Sequence, residues 1–487
     1  MGKTFFISTA IPYVNAKPHL GFALELVQAD IIARYRRLQG DDVFFLTGTD
    51  ENALKNVLAA EQEGISTEEL VTRNAEMFKS LKKTLDLSWD DFVRTTEPRH
   101  RAGAQKFWLV AKKDIYKKSY RGLYCVGCEE FKTSKDLVNE HCPEHPNAPI
   151  EDIEEENYFF RLTNYQKTLE ELIESDRLRV VPETRKNEVL SFIREGLQDF
   201  SISRSRERAK NWGILVPGDE TQIQYVWFDA LTNYITALGY AENSDRFRRF
   251  WEGGSSITHL IGKGVLRFHA IYWPAMLLSA GLKLPTQIVV HGYLTVGGQK
   301  ISKSLGNVID PFEVVEKYGT DALRYWLARD VNPFEDGDFT WEKFAERYEA
   351  DLANGIGNFV SRVLTLAERL NGTRIDFEKD VDPMLAGAVA RAQEAMTAKL
   401  AGYRFHEALA AIWELIGAGD RYVNEKKPWA VPDKKVLFSL VTVVDNVAAL
   451  LLPFLPGTSE KITKQIAWSD HTITVSRGPA LFPRISS

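Results

Sequence analysis

The sequence of 487 residues carries 61 lysines and arginines against 67 aspartates and glutamates, a formal net charge of −6. Such a chain does not coat nucleic acid non-specifically, although local basic patches can still contact a shaped RNA. Its length predicts about three domains of roughly 100–200 residues each. The apolar stretches are too short or too interrupted for a membrane span of about 20 residues, and the N-terminus leads directly into a strand signal. We therefore expect a cytoplasmic protein without membrane contact.

The first 115 residues alternate between strand and helix signals. Residues 4–9 form a short apolar run, residues 22–38 carry apolar side chains at helical spacing and stop before Gly40, and residues 43–48 form a second apolar run. This order predicts a strand, a helix and a second strand. Such a βαβ unit is typical of open parallel sheets, in which ligands bind at the carboxyl ends of the strands.

The alternation breaks at residues 116–210, which contain the cysteines, an acidic segment and a charged helical stretch at 163–199. Strand signals return at 225–228, 258–262 and 287–291, and after about residue 341 they give way to helical periodicity, for example at 352–370 and 384–401. We predict a Rossmann-like parallel-sheet domain formed by 1–115 and 211–340. An inserted domain at 116–210 interrupts it, and an all-α helical bundle occupies 341–487.

The three cysteines lie within eighteen residues of one another and are followed by a histidine: Cys125, Cys128, Cys142 and His145. This Cys-x2-Cys-x13-Cys-x2-His spacing is typical of a closed tetrahedral zinc site. Because four protein ligands fill every position, we expect one structural zinc ion per chain. His141 is an alternative fourth ligand, and reduced cysteines without metal are the other interpretation.

Two short segments carry the chemistry of a nucleotide site. Pro18-His19-Leu20-Gly21 opens the first predicted helix, and Lys300-Ile301-Ser302-Lys303-Ser304 lies in a glycine-flanked loop after an apolar run. A helix N-terminus attracts phosphate through its unpaired N–H groups and its dipole, and two lysines can hold the far side of the same polyphosphate. Alone, the first segment is common by chance and the second usually marks a solvated loop.

Together, in this order and separation, the two segments resemble the nucleotide signatures of class I aminoacyl-tRNA synthetases. The chain is similar to the methionyl-tRNA synthetases over nearly its whole length. The leucine, isoleucine and valine enzymes carry an additional editing insertion for which this chain has no room. The further matching strings are Ala10-Ile11-Pro12-Tyr13, Thr47-Gly48-Thr49-Asp50, Val226-Trp227-Phe228-Asp229-Ala230, Ile261-Gly262-Lys263, Arg267-Phe268-His269, and residues 421–429 with their terminal Pro428-Trp429.

The resemblance implies activation of L-methionine by ATP with Mg²⁺, followed by transfer to the 3′ end of tRNA(Met). Catalytic roles fall on His19, Lys300 and Lys303. The nucleotide-binding positions are Pro18, His19, Gly21, Phe22, Glu25, Gly262, Lys300, Ser302 and Lys303. The methionine-binding positions are Ile11, Tyr13, Asp50, Trp227, Leu231, Tyr234, Val265, Phe268 and His269, and the anticodon-binding positions are Asn358, Arg362 and Trp429.

Elementary chemistry agrees with these roles, while simpler interpretations stay open. A cationic α-amino group needs a carboxylate such as Asp50, although Asp50 could instead cap a helix. A thioether needs an apolar slot with aromatic walls, although each pocket residue could simply be part of a core. Trp429 directly follows Pro428 and could stack on an RNA base or anchor the bundle.

Three departures from the family pattern stand out, and the first two concern the nucleotide site. Phe22 stands in place of a usual histidine, Gly264 in place of a usual aspartate, and Asn52-Ala53 in place of a usual His-Gly. Phe22 can stack on adenine but cannot donate a hydrogen bond. Glu25 could supply the ribose hydrogen bond that Gly264, without a side chain, cannot make.

The departures at Phe22 and Gly264 motivate the alternative of a tRNA-binding paralogue with impaired catalysis. A third possibility, a small-molecule adenylyltransferase, is opposed by the cysteine-bearing insertion and the helical region. Because the chain stops after the predicted bundle, with no appended oligonucleotide-binding barrel, we expect a monomer.

Overall fold

The computed structural model describes residues 2–125, 130–132, 136–143, 146, 148–254, 256–301, 306–372, 381–431, 433–469 and 472–485. Its contacts divide the chain into two compact units, each assembled from segments that are distant in sequence. Unit 1 comprises residues 1–17, 39–80 and 89–290, and unit 2 comprises residues 18–38, 81–88 and 291–487.

The strands are β1 (Thr4–Thr9), β2 (Asp42–Thr49), β3 (Asp91–Arg94), β4 (Ile115–Cys125), β5 (Glu130–Lys132), β6 (Ile150–Phe160), β7 (Arg179–Val181), β8 (Phe200–Ser201), β9 (Ser203–Ser205), β10 (Leu215–Val216), β11 (Asp219–Gln224), β12 (Ser256–Gly262), β13 (Gln287–His291), β14 (Leu294–Val296), β15 (Gln299–Lys300), β16 (Gly337–Phe339), β17 (Ile466–Ser469) and β18 (Thr472–Val475).

The α-helices are α1 (Leu20–Leu38), α2 (Leu54–Glu63), α3 (Thr67–Thr84), α4 (Pro98–Val110), α5 (Gln166–Glu174), α6 (Glu183–Arg194), α7 (Val226–Ala230), α8 (Asn233–Thr236), α9 (Asp245–Phe247), α10 (Trp273–Ala280), α11 (Pro311–Tyr318), α12 (Thr320–Arg329), α13 (Trp341–Arg347), α14 (Asn358–Ala367), α15 (Pro383–Ala401), α16 (Phe405–Lys426), α17 (Lys434–Leu451) and α18 (Pro456–Thr463). Short 3₁₀ turns and π-helical segments, such as Tyr348–Gly357, supplement them. No helix in the described part of the chain is long and apolar enough to cross a membrane.

A six-stranded sheet with the order β3-β2-β1-β12-β13-β7 forms the centre of unit 1. β1 pairs in parallel with both β2 and β12, so Phe5 lies opposite Val43 on one side and Ser256 on the other. Its apolar strands are buried because α4 and α10 pack with them into one core, to which Phe107 and Trp273 contribute. The predicted parallel sheet is therefore confirmed.

The edge strand β7 was not foreseen in the sequence. It lies within residues 116–210 yet pairs in parallel with β13, placing Val180 opposite Ile288. Side chains of α5 and α6, including Leu172 and Ile193, belong to the same core as the sheet. The charged helical stretch at 163–199 thus supplies one strand to the six-stranded sheet and two helices that pack into its core. The division into domains stays a prediction.

An antiparallel sheet with the order β5-β4-β6-β8 also belongs to unit 1. β4 and β6 pair along their whole length, from Ile115 opposite Phe160 to Cys125 opposite Ile150. A smaller antiparallel sheet has the order β10-β11-β9. The β4–β6 ribbon thus carries Cys125 at the end opposite to the Ile115–Phe160 pair.

The expectation of a strand at 225–228 is wrong. Residues Val226–Ala230 form the short helix α7, which begins after extended Tyr225 and is closed by a hydrogen bond from the Phe228 amide to the Tyr225 carbonyl. A short apolar run fits a buried strand and a buried helical turn equally well. The helical form places Trp227 and Asp229 on one turn.

In unit 2, α1 is accompanied by α11 to α18 and by two small sheets, β15-β14-β16 and β17-β18. Helix α15 packs against α16, and α17 packs against both α14 and α16. The periodicity at 384–401 corresponds to α15, Pro383–Ala401. The expectation that no strand follows residue 341 is wrong, because the β17–β18 hairpin lies near the end of the chain and places Trp468 opposite Ile473.

A fully buried ion pair fixes α1 within unit 2. Arg324 on α12 contacts Asp30 on α1 at 2.8 Å, and both side chains have no exposed surface. The same guanidinium donates to the carbonyl oxygens of Leu85, Pro453 and Phe454. Asp30 accepts further hydrogen bonds from Ser88 and Arg34. Both charged groups of this buried cluster thus have hydrogen-bond partners, as their burial requires.

Candidate active site

His19 lies at the start of α1 in unit 2, and its imidazole ring is neutral. The Gly21 amide donates to Nδ1 of His19 at 3.0 Å, and burial lowers the pKa of His19 to about 4. The imidazole is therefore neutral near pH 7, with Nδ1 as an acceptor and its single proton on Nε2. An N–H group at the N-terminus of a 19-residue helix suits an anionic ligand.

Two neighbours of His19 hold its ring in place. A Cβ on Gly21 would meet Cε1 of His19 at 2.8 Å, so only glycine allows this close approach. The Phe22 ring lies against the His19 ring with centroids 4.3 Å apart. The Gly21 amide, predicted to face phosphate, is instead engaged with His19. Pro18, two residues before the helix, is buried.

One turn further along α1, Glu25 meets a histidine that the sequence reasoning missed. Glu25 Oε2 lies 2.8 Å from Nε2 of His291, the last residue of β13, and Nδ1 of His291 lies 2.7 Å from the Gly292 carbonyl oxygen. The signal that could have revealed His291 is its position at the carboxyl end of a buried strand, where ligand sites gather.

The segment that contains Lys300 belongs to unit 2 as well, and the chain that follows it contacts the start of α1. Lys300 is exposed at the end of β15, with its ammonium 5.8 Å from the centre of the Tyr293 ring, and its carbonyl accepts from Asn307. The Leu20 amide donates to the Ile309 carbonyl at 3.2 Å, which ties the first turn of α1 to the chain after the loop. Ser302 and Lys303 lie outside the described residues.

In unit 1, the aromatic rings of Tyr13, Trp227 and Phe268 pack together. Trp227 stacks on Phe268 with centroids 3.9 Å apart and planes inclined by 7°, and Tyr13 meets the Trp227 ring edge-on at 6.3 Å. The indole nitrogen of Trp227 is buried and has no hydrogen-bond partner among the described residues. Since a buried N–H group normally has a partner, this donor is suited to a bound ligand.

A buried histidine, His269, contacts the Trp227 ring and is held by two hydrogen bonds. Nδ1 of His269 lies 2.8 Å from the Val265 carbonyl, and Nε2 lies 2.7 Å from the Tyr234 hydroxyl. Burial lowers the pKa of His269 to about 4. His269 therefore donates from Nδ1 to the Val265 carbonyl and accepts a hydrogen bond at Nε2 from the Tyr234 hydroxyl. Such an uncharged pair suits an apolar, polarisable ligand group.

Asp50 supplies the carboxylate of unit 1. It is 1% exposed at the carboxyl end of β2 and forms an isolated parallel bridge with Tyr13. Its Oδ1 accepts from the Asn52 amide at 3.2 Å. The next helix, α2, begins after Ala53, and no side chain caps it, so Asp50 is not a helix cap.

For three further predicted site residues of unit 1, the structure gives only their burial and their position beside a helix or strand. Leu231 is buried directly after α7, Ile11 is partly buried after β1, and Gly262 ends β12. The structure thus links Tyr13, Asp50, Trp227, Phe268 and His269 with Tyr234 and Val265 through ring contacts, backbone pairing and hydrogen bonds. Ile11, Leu231 and Gly262 are placed near these elements in sequence only.

Two of the four predicted zinc ligands can be located. Cys125 and Cys142 are both fully buried, which suits thiolate ligands of a soft metal. Cys128 and His145 lie outside the described residues. His141 is exposed and its Nδ1 bonds to the Asn139 carbonyl. Among the described residues, no three side chains of His, Cys, Asp or Glu are grouped to hold a metal ion.

The predicted RNA-binding side chains lie on a surface of unit 2. Trp429 is 44% exposed, which excludes the core-anchor interpretation. The Arg362 guanidinium lies 4.9 Å from the centre of the Trp429 ring and also donates to Asn424. Asn358, four residues before Arg362 on α14, is exposed. The structure therefore places an aromatic face and a stacked cation where a base could reach them.

The parallel sheet, the helix that opens at His19 and the lysine-bearing hairpin define a class I aminoacyl-tRNA synthetase. The family model described as tRNA synthetases class I (M) matches residues 5–149 and 133–364. The methionine–tRNA ligase of Mesorhizobium japonicum is 42% identical over 96% of this chain and 92% of its own length. That of Caldanaerobacter subterraneus is 40% identical, over 100% of this chain and 79% of its own length.

A solved structure gives the same result. Methionyl-tRNA synthetase of Mycobacterium tuberculosis in complex with methionyl-adenylate superposes with a TM-score of 0.93 and 35% identity, covering 99% of this chain and 100% of its own. The chain belongs to the methionyl-tRNA synthetase family.

Proposed function

We propose that this chain is a methionine–tRNA ligase that uses ATP to activate L-methionine and then charges tRNA(Met). The observation that carries the proposal is 42% identity to a methionine–tRNA ligase over 96% of the chain. The aromatic cluster of unit 1, whose Tyr13 bridges the buried Asp50, supports methionine as the amino acid.

The reaction has two steps. In the first, a carboxylate oxygen of methionine forms a bond to the α-phosphorus of ATP, and the bond from that phosphorus to the bridging oxygen breaks, so pyrophosphate leaves with the electron pair. In the second, a hydroxyl of the terminal tRNA ribose attacks the methionyl carbonyl and AMP leaves. Both steps depend on positioning and on stabilisation of developing negative charge.

In the proposed nucleotide site, neutral His19 donates from Nε2 to a phosphate oxygen. Lys300 and Lys303, with Ser302, hold the departing pyrophosphate, and Phe22 stacks on the adenine. Glu25, oriented by His291, approaches the ribose. Mg²⁺ bound with ATP would neutralise part of the phosphate charge.

In the proposed methionine site, Asp50 pairs with the α-ammonium group. Tyr13, Trp227 and Phe268 form the walls, and Ile11, Leu231 and Val265 complete the apolar lining. The hydrogen-bonded pair of Tyr234 and His269 receives the thioether. Because His269 is neutral, it brings no positive charge that would disfavour an uncharged side chain beside it.

The inserted region and the helices of unit 2 have supporting roles in this proposal. Cys125, Cys128, Cys142 and His145 would hold one structural zinc ion, and Cys125 lies at the end of β4. The helical bundle of residues 341–487 binds the anticodon through Asn358, Arg362 and Trp429. The buried state of Cys125 and Cys142 and the exposed state of Trp429 support these assignments.

The decisive experiment is pyrophosphate exchange with purified protein. We expect ³²P-labelled pyrophosphate to enter ATP only when L-methionine is present, followed by charging of tRNA(Met). The paralogue alternative predicts tRNA binding without exchange, and it has no support from the relatives, which are named as ligases. Absence of methionine-dependent exchange would refute the proposed function.

A further inference from the structure

One buried amide joins the two elements that carry the proposed methionine site. Nδ2 of Asn52 donates to Oδ2 of Asp229 at 2.9 Å and to the Thr95 carbonyl oxygen at 3.2 Å. Asn52 is 7% exposed, and Asp229 and Thr95 are fully buried. All three belong to unit 1. This contact gives a physical role to Asn52, one of the departures from the family pattern.

The orientation of the Asn52 amide follows from its partners. A carboxylate oxygen and a carbonyl oxygen are both acceptors, so the NH₂ end of the amide must face them and both of its hydrogens are used. The Oδ1 end is buried without a hydrogen-bond partner among the described residues. The side chain therefore acts as a double donor between the β2 end, α7 and the segment after β3.

Helix capping does not explain this side chain. The helix that follows, α2, has Ala53 at its N-cap, and no side chain accepts from its first turn. A donor that points away from its own helix, towards two other elements, has a tertiary role.

The joined elements carry opposite ends of the proposed substrate site. Asn52 lies two residues after Asp50, and its own amide N–H donates to Asp50 Oδ1. Asp229 lies two residues after Trp227 on α7, and Trp227 stacks on Phe268. The bond between Asn52 and Asp229 thus fixes the distance from the ammonium-binding carboxylate to the aromatic wall.

We propose that Asn52 is a positioning residue that sets the length of the methionine site, and so its selectivity for side-chain length; this rests on the proposed function. The loss of one buried hydrogen bond to a carboxylate lets the two elements separate. A longer substrate then fits better and methionine fits worse, whereas the nucleotide contacts stay as they are.

The first test compares Asn52→Ala with a matched control, Asn157→Ala. Asn157 is also buried, also donates from Nδ2 to a carboxylate, that of Glu155, and also has a buried Oδ1 without a described partner, but it lies on β6. In pyrophosphate exchange, we expect Asn52→Ala to raise the KM for methionine about tenfold and leave the KM for ATP unchanged. The ratio of kcat/KM for methionine over ethionine should also fall, while the control changes neither quantity.

A second variant keeps the proposal testable if alanine disturbs folding. Asn52→Asp has the same shape but replaces the donor by a carboxylate facing Asp229. Two adjoining carboxylates raise the pKa of one of them and share a proton at low pH. That proton restores a hydrogen bond, so the KM for methionine in this variant should fall as the pH is lowered from about 8 to about 6. A side chain with only a structural role would not produce this dependence.

The outcomes separate the proposal from the function on which it rests. If wild-type protein shows no methionine-dependent exchange, the proposed function fails. If the wild type is active but Asn52→Ala keeps the wild-type KM and the wild-type methionine-to-ethionine ratio, the positioning role is overturned. Equal effects of Asn52→Ala and Asn157→Ala, or a KM in Asn52→Asp that ignores pH, would overturn it as well.

Discussion

Replacing Asp30 by asparagine should destabilise unit 2 strongly, because it leaves a buried guanidinium without its counter-charge. Arg324 has no exposed surface, and its Nη2 lies 2.8 Å from Asp30. Asparagine keeps the volume of the side chain and one acceptor oxygen but removes the negative charge. Removal of one partner from a buried pair costs about 3–5 kcal/mol, since the remaining charge stays desolvated. Exposed pairs give far smaller effects.

The size of the expected thermal shift follows from the size of unit 2. For a unit of about 200 residues, 1 kcal/mol corresponds to about 2–4 °C in the unfolding midpoint. Asp30→Asn should therefore lower the midpoint of the transition that unfolds unit 2 by about 6–20 °C. Scanning calorimetry measures this midpoint. The matched control is Glu460→Gln, which breaks the exposed pair of Glu460 with Lys464 and should move the midpoint little.

The pH dependence gives an independent check. Burial raises the pKa of Asp30, but the charges of Arg324 and Arg34 and the hydrogen bond from Ser88 outweigh burial and hold this pKa below its ordinary value. The ionised carboxylate therefore contributes stability above about pH 4, and this contribution is lost as the pH falls through the lowered pKa. The difference between wild type and Asp30→Asn should be constant near neutral pH and shrink only in acid. A midpoint within about 2 °C of wild type, or no larger shift than in Glu460→Gln, would refute the reasoning.

Four further predictions concern the proposed sites. Lys303→Ala should lower the exchange rate about 10²–10³-fold with little change in methionine affinity; near wild-type turnover would show that the loop is not catalytic. Gly21→Ala should lower kcat in the same assay, because the added methyl group meets the His19 ring, and an unchanged kcat would contradict the role proposed for His19. Trp429→Ala should leave exchange unchanged but weaken tRNA charging by roughly 1–3 kcal/mol, measured as kcat/KM for tRNA; equal loss of both activities would contradict an anticodon role. Elemental analysis should find one zinc ion per chain and less in Cys125→Ser, and well under one in the wild type would exclude the site.

The parts of the fold that the sequence predicts are those with an unambiguous pattern. The boundaries of β1 and β13 are as expected, and α1 begins only two residues before the expected position. These segments are apolar runs or long helical repeats bounded by glycine, so local physics decides their structure. In contrast, Val226–Ala230 is too short for its pattern to distinguish strand from helix, and tertiary packing decides in favour of α7.

The residues of the candidate site also divide into those that the sequence predicts and those that only the folded structure reveals. His19 and Asp50 are visible in the sequence because they follow strands and match known motifs. The pairing of Glu25 with His291 spans 266 positions, and that of Asn52 with Asp229 spans 177. No periodicity encodes such contacts, because they depend on which strand ends meet in the folded sheet. The tautomers of His19 and His269 likewise follow only from their neighbours' hydrogen bonds.

The discontinuous make-up of unit 2 has a consequence for biosynthesis. Asp30 leaves the ribosome 294 residues before Arg324, since the two side chains lie at positions 30 and 324. At about 5–20 residues per second, the helix that carries His19 waits on the order of 15–60 s for the partner of its buried carboxylate. Throughout that interval α1 exposes Asp30 and the apolar side chains around it, so a chaperone that binds nascent segments has its longest opportunity there. A synonymous codon change that slows translation between residues 39 and 324 should lengthen this exposure.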